Sequence, residues 1–132
     1  NAGVIPSSIS GYPGHYVHDV RLSNIDVALR ASGTEEDISK AVPENSSQYP
    51  LTRMFRVNLP SCGLYLRHVR DIAIDGLRVR PLETEPRPEV VADDVHGLQL
   101  SRLSTGHPKR EKPRVRISNS TRVNVSGEFE RI

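Results

Sequence analysis

The chain of 132 residues contains no tryptophan and a single cysteine, Cys62. One cysteine cannot form an internal disulfide or a cysteine-based zinc site, so folding must come from packing. No apolar run approaches the roughly 20 residues that a membrane-spanning helix needs, and no charged-then-apolar leader is present. The composition therefore predicts one small domain with no membrane segment and no signal peptide in this chain.

Aromatic residues make up only 5% of the chain, and the net charge of +2 is unevenly distributed. Residues 101–132 hold eight Lys or Arg against three Asp or Glu, so the C-terminal quarter is basic. An acidic polymer would suit such a patch, but few aromatics to stack on bases and no nucleic-acid-binding fingerprint argue against nucleic acid. A solvated basic face is the simpler interpretation.

A repeat of alternating apolar residues organises the sequence. Residues 17–27 superpose on 69–79 at an offset of 52, and the same template falls on 95–103 at a further 26 and loosely on 122–125 at a further 25. In each copy the apolar positions alternate and then skip three residues, as in a strand that turns a corner. Asn24 and Gly76 fall at this corner, and both residue types tolerate a left-handed backbone.

A second short apolar run precedes the later copies, at residues 63–66, 90–92 and 114–117. Repeats of 20 to 50 residues with short strands and no helical periodicity indicate a solenoid. We therefore predict an all-β fold, a parallel β-helix of about three to four coils, with a β-sandwich as the alternative. A sandwich usually has turn pairs such as Asn-Gly or Asp-Gly between its strands, and Asp75-Gly76 is the only such pair here.

The doubled spacing between the first two copies predicts a long loop insertion at about residues 31–62. Its prolines and its polar stretch are poor strand material, and loops of this length are usually functional or packed across a scaffold. One helical turn is expected within residues 34–41, with Thr34 as its N-cap and Asp37 three residues later. A second, shorter loop spans residues 80–89.

Several segments together resemble a known family. They are Ser8-Ile9-Ser10-Gly11-Tyr12-Pro13-Gly14, His18-Asp19-Val20-Arg21-Leu22-Ser23-Asn24-Ile25, Val42-Pro43-Glu44, Tyr49-Pro50, Leu59-Pro60, Gly63-Leu64-Tyr65-Leu66-Arg67-His68-Val69, and Arg87-Pro88 before Ala92-Asp93-Asp94-Val95. This combination resembles the C-terminal part of bacterial glycoside hydrolase family 28, the polygalacturonase-like family. The resemblance implies a right-handed parallel β-helix that hydrolyses pectic polysaccharides by inversion, with Asp side chains as acid and base. It also implies a secreted or periplasmic protein that needs neither a metal nor an organic cofactor.

The family's catalytic signatures are Asn-Thr-Asp, Asp-Asp, Gly-His-Gly and Arg-Ile-Lys, and none is complete here. Asp93-Asp94, Gly106-His107-Pro108 and Arg116-Ile117-Ser118 come nearest. Residues share one cleft of a solenoid when about one coil separates them, yet Asp94 and His107 are 13 residues apart. We therefore predict no catalytic residue in this chain. Because Asn1 replaces an initiating Met, we interpret residues 1–132 as a single β-helix segment, the C-terminal portion of a longer chain whose catalytic coils precede it.

Three residues are candidates for substrate binding: Arg67, His68 and Tyr49. A guanidinium pairs bidentately with a uronate carboxylate, an imidazole bonds hydroxyl groups and a tyrosine ring stacks on a sugar. The alternative packs Arg67 or His68 at the base of the insertion and Tyr49 in the core, with Glu44 as a structural hydrogen-bond acceptor. The histidines at 15, 18, 96 and 107 show no metal-ligand spacing, and we predict no metal site.

An acidic pectic polysaccharide is the expected partner, and nucleic acid and membrane are not. The alternatives are a non-catalytic carbohydrate-binding module that uses the loop and the basic tail, or a structural fibre segment. An uncapped solenoid end exposes apolar side chains and strand edges. With Val4, Ile5 and Ile9 at that N-terminal end, we expect contact there with the rest of a parent chain or with a second copy.

Overall fold

The structure, a computed structural model, describes residues 6–30, 33–82 and 84–132, without the side chains of residues 52 and 53. Its strands are β1 (Ser7–Ser10), β2 (Val17–Leu29), β3 (Leu64–Pro81), β4 (Val90–Thr105), β5 (Val115–Ser118), β6 (Thr121–Val125) and β7 (Glu130–Arg131). The helix α1 (Glu35–Ser39) and two 3₁₀ turns, Ser46–Gln48 and Thr52–Phe55, lie between β2 and β3. No helix within the described ranges has both the length and the apolar character of a membrane-spanning segment.

Every strand pairing in this part of the chain is parallel. β1 and β2 both pair with β3, β3 pairs with β4, β5 and β6 both pair with β4, and β7 pairs with β5. Val17 lies opposite Val69 and Val69 opposite Val95, so the predicted offsets of 52 and 26 residues are confirmed. Leu98 lies opposite Val123, which confirms the offset of 25. The fold is therefore mostly β with a parallel sheet, whereas a β-sandwich is built from antiparallel sheets.

Rows of left-handed residues mark where the strands bend. Asn24 (φ 55°) and Gly76 (φ 86°) adopt this backbone as expected, and Arg102 (φ 53°) continues their row. Arg102 is held there by Asp75, whose carboxylate accepts a hydrogen bond from Nε at 2.7 Å. Two more rows were not predicted: Asp19, Asp71, Gly97 and Arg122 form one, and His68, Asp94 and Asn119 form the other.

The apolar core lies between these bends, beneath β3 and β4. Its residues are the inward members of the alternating pattern, and those on β3 and β4 are almost completely buried: Leu64, Leu66, Val69, Ile72, Ile74, Leu77, Val79, Val90, Ala92, Val95, Leu98 and Leu100. Alternation along a pleated strand sends successive side chains to opposite faces, which is why the sequence pattern locates the core. The corresponding residues of β2 are only half-buried.

The insertion is ordered and packs across the sheet. α1 lies within the predicted helical turn; Thr34 is its N-cap, and the backbone N–H of Thr34 donates to Asp37 at 2.8 Å. Farther along, Met54, Phe55 and Leu59 form a second apolar cluster with Tyr65 and Val91. The insertion therefore covers the outward side chains of β3 and β4, whereas its residues 31 and 32 fall outside the described ranges.

β2 stands at one end of the stacked strands, and the described residues provide a partner only on its β3 side. Of the three residues expected at this end, Val4 and Ile5 lie outside the described ranges and Ile9 is half-buried on β1. Light scattering on the purified chain should therefore give at least twice the monomer mass at micromolar concentration. Leu22→Glu, on half-buried β2, should yield monomers, whereas Ser104→Glu on the exposed face of β4 should not. Monomeric wild-type chain at every concentration would contradict this expectation.

Candidate functional site

A cluster of polar side chains surrounds Asp94, at one of the left-handed bends. Oδ2 of Asp94 accepts a hydrogen bond from the Tyr16 hydroxyl at 2.6 Å and lies 2.6 Å from Nδ1 of His68. Oδ1 lies 2.8 Å from Nε2 of His96, whose other ring nitrogen lies 2.8 Å from the Thr121 hydroxyl. Asp94 therefore connects β4 directly to Tyr16, just before β2, and to His68 on β3. Through His96 it is also connected to Thr121 on β6.

His68 lies between two carboxylates. Its Nδ1 lies against Asp94, and its Nε2 is 3.0 Å from each carboxylate oxygen of Glu44. Each ring nitrogen of His68 thus faces a carboxylate acceptor. His68 is only 8% exposed, so it joins the insertion to the sheet as a buried bridge. Glu44 is thus the hydrogen-bond acceptor that the sequence suggested.

The pKa values of Asp94 and Tyr16 in this cluster depart from their ordinary values. Partial burial would raise the pKa of Asp94, but the hydrogen bonds from Tyr16, His68 and His96 outweigh it and hold that pKa below its ordinary value. The same bond to Asp94, together with partial burial, raises the pKa of Tyr16 to about 12. Tyr16 therefore stays protonated at neutral pH and acts as a donor, while Asp94 stays a carboxylate.

Arg67 is buried at the base of the insertion and is only 2% exposed. Its guanidinium donates to the backbone carbonyls of Val42 at 3.1 Å and Pro43 at 3.2 Å. It also lies over the Phe55 ring, 5.3 Å from the centroid, in a cation–π contact. Arg67 and His68 are therefore both packed at the loop base, the arrangement that the sequence suggested for one of them. Substrate binding by either residue remains a prediction.

Tyr49, the third candidate, is exposed. Its side chain is 40% accessible and its ring centroid lies 5.7 Å from that of Tyr12, which stacks on His15 at 5.5 Å. The expectation that Tyr49 packs in the core was therefore wrong, because its ring lies over Tyr12 on the surface. Gly11 brings this aromatic group close to the sheet: a Cβ there would lie 2.4 Å from the His68 carbonyl oxygen, too close for any other residue.

The near matches to the catalytic signatures do not form one site. The strand bends at Asp94, so both Asp93 and Asp94 are half-exposed, but Asp93 accepts hydrogen bonds from Ser118 at 3.2 Å and Asn119 at 2.9 Å instead of joining the Asp94 cluster. His107 is buried elsewhere, with Nε2 2.8 Å from the Glu85 carbonyl oxygen. The spacing argument against a shared cleft therefore agrees with the contacts.

A second polar network, which the sequence did not reveal, is centred on Arg87. This side chain is fully buried, and its Nε and NH2 donate to the two carboxylate oxygens of Glu85 at 2.7 and 3.0 Å. Its NH1 donates to the Leu59 carbonyl at 3.1 Å. The buried Glu89 carboxylate binds Arg110 at 2.7 Å. The only sequence signal was the presence of alternating Glu and Arg in a proline-rich loop.

An open cavity of about 330 Å³ lies between residues 38–42 of the insertion and the outward side chains of β3, β4 and β5. Lys40, Asp93, Arg116 and Ser118 are among the residues that line it. Asp93, Arg116 and Ser118 belong to the near matches to the catalytic signatures, but that they line one cavity with Lys40 could not be predicted, because it depends on strand register and on the path of the insertion. This volume is at the small end of the range for ligand pockets.

Metal ligation and cysteine chemistry find no basis in the described residues. No group of three or more His, Cys, Asp or Glu side chains there could hold a metal ion, since the carboxylates around His68 are turned toward its ring nitrogens. Burial raises the pKa of the Cys62 thiol to about 12, so it is not a nucleophile at neutral pH.

Comparison of the chain with the profiles of known families, with curated proteins and with solved structures found no match in any of the three.

Proposed function

We propose that this chain is a right-handed parallel β-helix segment of a glycoside hydrolase of the polygalacturonase-like family 28. The protein to which it belongs hydrolyses pectic polysaccharides by inversion in a secreted or periplasmic location. Its catalytic carboxylates are supplied by coils other than those described here.

The observation that carries the proposal is the constant register of the parallel strands. Two series of strands stack with the same 26-residue step, first Leu64 on Val90 and then Val69 on Val95, and the bends of successive layers lie in rows. A repeated step with repeated bends is what a solenoid requires, since each layer covers the core of its neighbour. A right-handed path is the one that parallel crossover connections nearly always follow.

The segments that resemble the family also contact one another. Val42-Pro43-Glu44 meets Arg67 and His68, and His68 meets Asp94 of the Asp93-Asp94 pair. Arg87 reaches the Leu59 carbonyl of Leu59-Pro60. These residues are far apart in sequence but are bonded in space, which supports reading their combination as one family pattern and not as chance similarity.

The carboxylates of Glu44, Asp93 and Asp94 are engaged by other side chains and do not form a pair for inverting hydrolysis. That chemistry needs two carboxyl groups about 6.5–9.5 Å apart with room for water and the glycosidic bond between them. Glu44 and Asp94 face each other, but the imidazole of His68 fills the space between them and bonds both. Asp93 is bonded to Ser118 and Asn119. In this proposal the segment extends the β-helix beside the catalytic coils.

The purified chain should release no reducing ends from polygalacturonate above the background of a heat-denatured sample. A commercial polygalacturonase serves as the positive control in the same assay. Release that scales with the concentration of this chain would show that it carries its own catalytic pair, and that the catalytic part of the proposal is wrong.

The carbohydrate-binding alternative drew on the basic C-terminal quarter. In the structure much of that charge is already paired, since Arg110 binds Glu89 at 2.7 Å and Arg114 binds Glu130 at 3.3 Å. Exposed pairs weaken with salt. If this chain binds polygalacturonate strongly at low salt and the binding disappears at physiological salt, the carbohydrate-binding alternative is favoured over the hydrolase proposal.

A further inference from the structure

The cavity of about 330 Å³ beneath the insertion has the lining of a binding site. Its floor is formed by the outward side chains of stacked strands, with Tyr65, Val91 and Arg116 in one row and Asp93 and Ser118 in the next. Its roof is formed by residues 38–42. The floor and the roof thus come from two separate parts of the chain, which the packing of the insertion brings together.

Arg116 provides hydrogen-bond donors. Its guanidinium is 19% exposed, NH1 donates to the Ile38 carbonyl at 3.3 Å, and Nε is buried without a hydrogen-bond partner among the described atoms. The nearest carboxylate, Glu130, lies 3.8 Å from Nε and is shared with Arg114 at 3.3 Å. Arg116 therefore shares the Glu130 carboxylate with Arg114, and the five N–H donors on Arg116 exceed its protein partners.

Asp93 provides an acceptor on the same floor. Its Oδ1 accepts from Ser118 and Asn119, at 3.2 and 2.9 Å. No described donor bonds the second oxygen, so it can accept from a ligand hydroxyl. Lys40 also lines the cavity, but its charge is matched by Asp37 at 2.9 Å. The lining therefore presents a cationic donor and an anionic acceptor.

Apolar side chains complete the enclosure, among them Val42, Val91 and Ile132. A sugar ring has hydroxyl groups on its edge and C–H groups on its faces, and so it suits a small cavity with both kinds of lining. A carboxylate on that sugar matches the Arg116 guanidinium, the preferred partner of carboxylates in proteins. We propose that this cavity binds one uronate residue of an acidic polysaccharide, with the carboxylate on Arg116 and a ring hydroxyl on Asp93. The assignment rests on the proposed function for the kind of sugar.

The test is binding of D-galacturonate and D-galactose to the full chain, measured by ligand-observed NMR titration. The two sugars differ only in the carboxylate. Galacturonate should bind in the millimolar range, and galactose about tenfold more weakly. Arg116→Gln should weaken galacturonate binding about tenfold and change galactose binding less than twofold, since one charge-assisted pair is lost.

Arg78→Gln is the matched control, because it removes an exposed arginine that does not line this cavity, and it should bind both sugars as the wild type does. Asp93→Asn should weaken both sugars, which tests the acceptor independently if Arg116→Gln fails to fold. Equal galacturonate affinity in the wild type and Arg116→Gln, or no binding of either sugar, overturns the site. If the chain does not bind galacturonate but the parent protein hydrolyses pectin, only the cavity assignment is refuted. If the chain binds galacturonate but the parent protein does not hydrolyse pectin, only the proposed function is refuted.

Discussion

Arg87→Ala is expected to lower the free energy of unfolding by about 3–5 kcal/mol, the typical cost of removing one partner from a buried ion pair. Arg87 and Glu85 are both essentially inaccessible to solvent. Loss of the guanidinium leaves the Glu85 carboxylate buried with fewer donors and the Leu59 carbonyl without this donor. Because small domains have total stabilities of about 5–15 kcal/mol, the variant should lie near the limit of folding.

Urea unfolding followed by circular dichroism measures this loss. Arg78→Ala, which truncates an exposed arginine on β3, is the matched control and should change stability by no more than about 0.5 kcal/mol. Arg87→Lys keeps the charge but not the paired geometry, so its loss of stability should lie between those of Arg78→Ala and Arg87→Ala. A loss below about 1 kcal/mol for Arg87→Ala would show that the buried network contributes little to the fold.

Asp94→Asn is expected to lower stability by about 2–3 kcal/mol at pH 7, since hydrogen bonds to a charged group contribute about 1.5–3 kcal/mol. The Asp94 carboxylate forms hydrogen bonds of 2.6 to 2.8 Å with Tyr16, His68 and His96. An asparagine side chain keeps the shape but has one acceptor oxygen in place of two. The bend at Asp94 is tolerated by asparagine, so the loss reports on the bonds and not on the backbone.

The same variant predicts a pH dependence. The pKa of Asp94 is held below its ordinary value in the fold, so its contribution is present above the unfolded pKa of about 3.9 and is lost as pH falls through the folded pKa. The stability difference between wild type and Asp94→Asn should therefore shrink below about pH 4. Asp26→Asn, at an exposed pair with Arg80, is the control for general acid effects. A difference that persists unchanged to pH 2 would contradict the assignment.

The strand registers could be read from the sequence because a single physical rule sets them. Apolar side chains must alternate along each strand and must stack on those of the neighbouring layer, so Val17, Val69 and Val95 share one position. The row of Asn24 and Gly76 was visible for a similar reason, since both residue types favour the left-handed backbone that a bend needs.

The other bends and the buried charges could not be read in this way. At the remaining bends the left-handed position is occupied by residues as different as His68, Asp71 and Arg122, so residue type gives no signal. A three-residue skip from Val17 to Val20 did mark one of them. Nothing in the sequence marks Arg87 as buried, because charged side chains are rarely buried unless paired, and its partners become evident only in three dimensions.

The candidate site was predicted in part. Arg67 and His68 were candidates because they follow the insertion closely in sequence. Glu44, within the insertion, was predicted as a hydrogen-bond acceptor. The sequence did not identify Asp94 as the centre of the cluster, and the alternative that packed Tyr49 in the core was wrong. These differences arise because the path of the insertion and the direction of the chain at the bend decide which side chains meet, and the sequence pattern gives only the position of each.

The most direct test of the account is the activity of the complete protein encoded by the gene that contains these 132 residues. Incubated with polygalacturonate and followed by NMR, that protein should release sugars whose new reducing ends initially have the inverted anomeric configuration. It should lose this activity when the carboxylates of its Asp-Asp signature are replaced by amides. Absence of hydrolysis on all pectic substrates, or a gene that encodes no further β-helix coils, would contradict the proposed function.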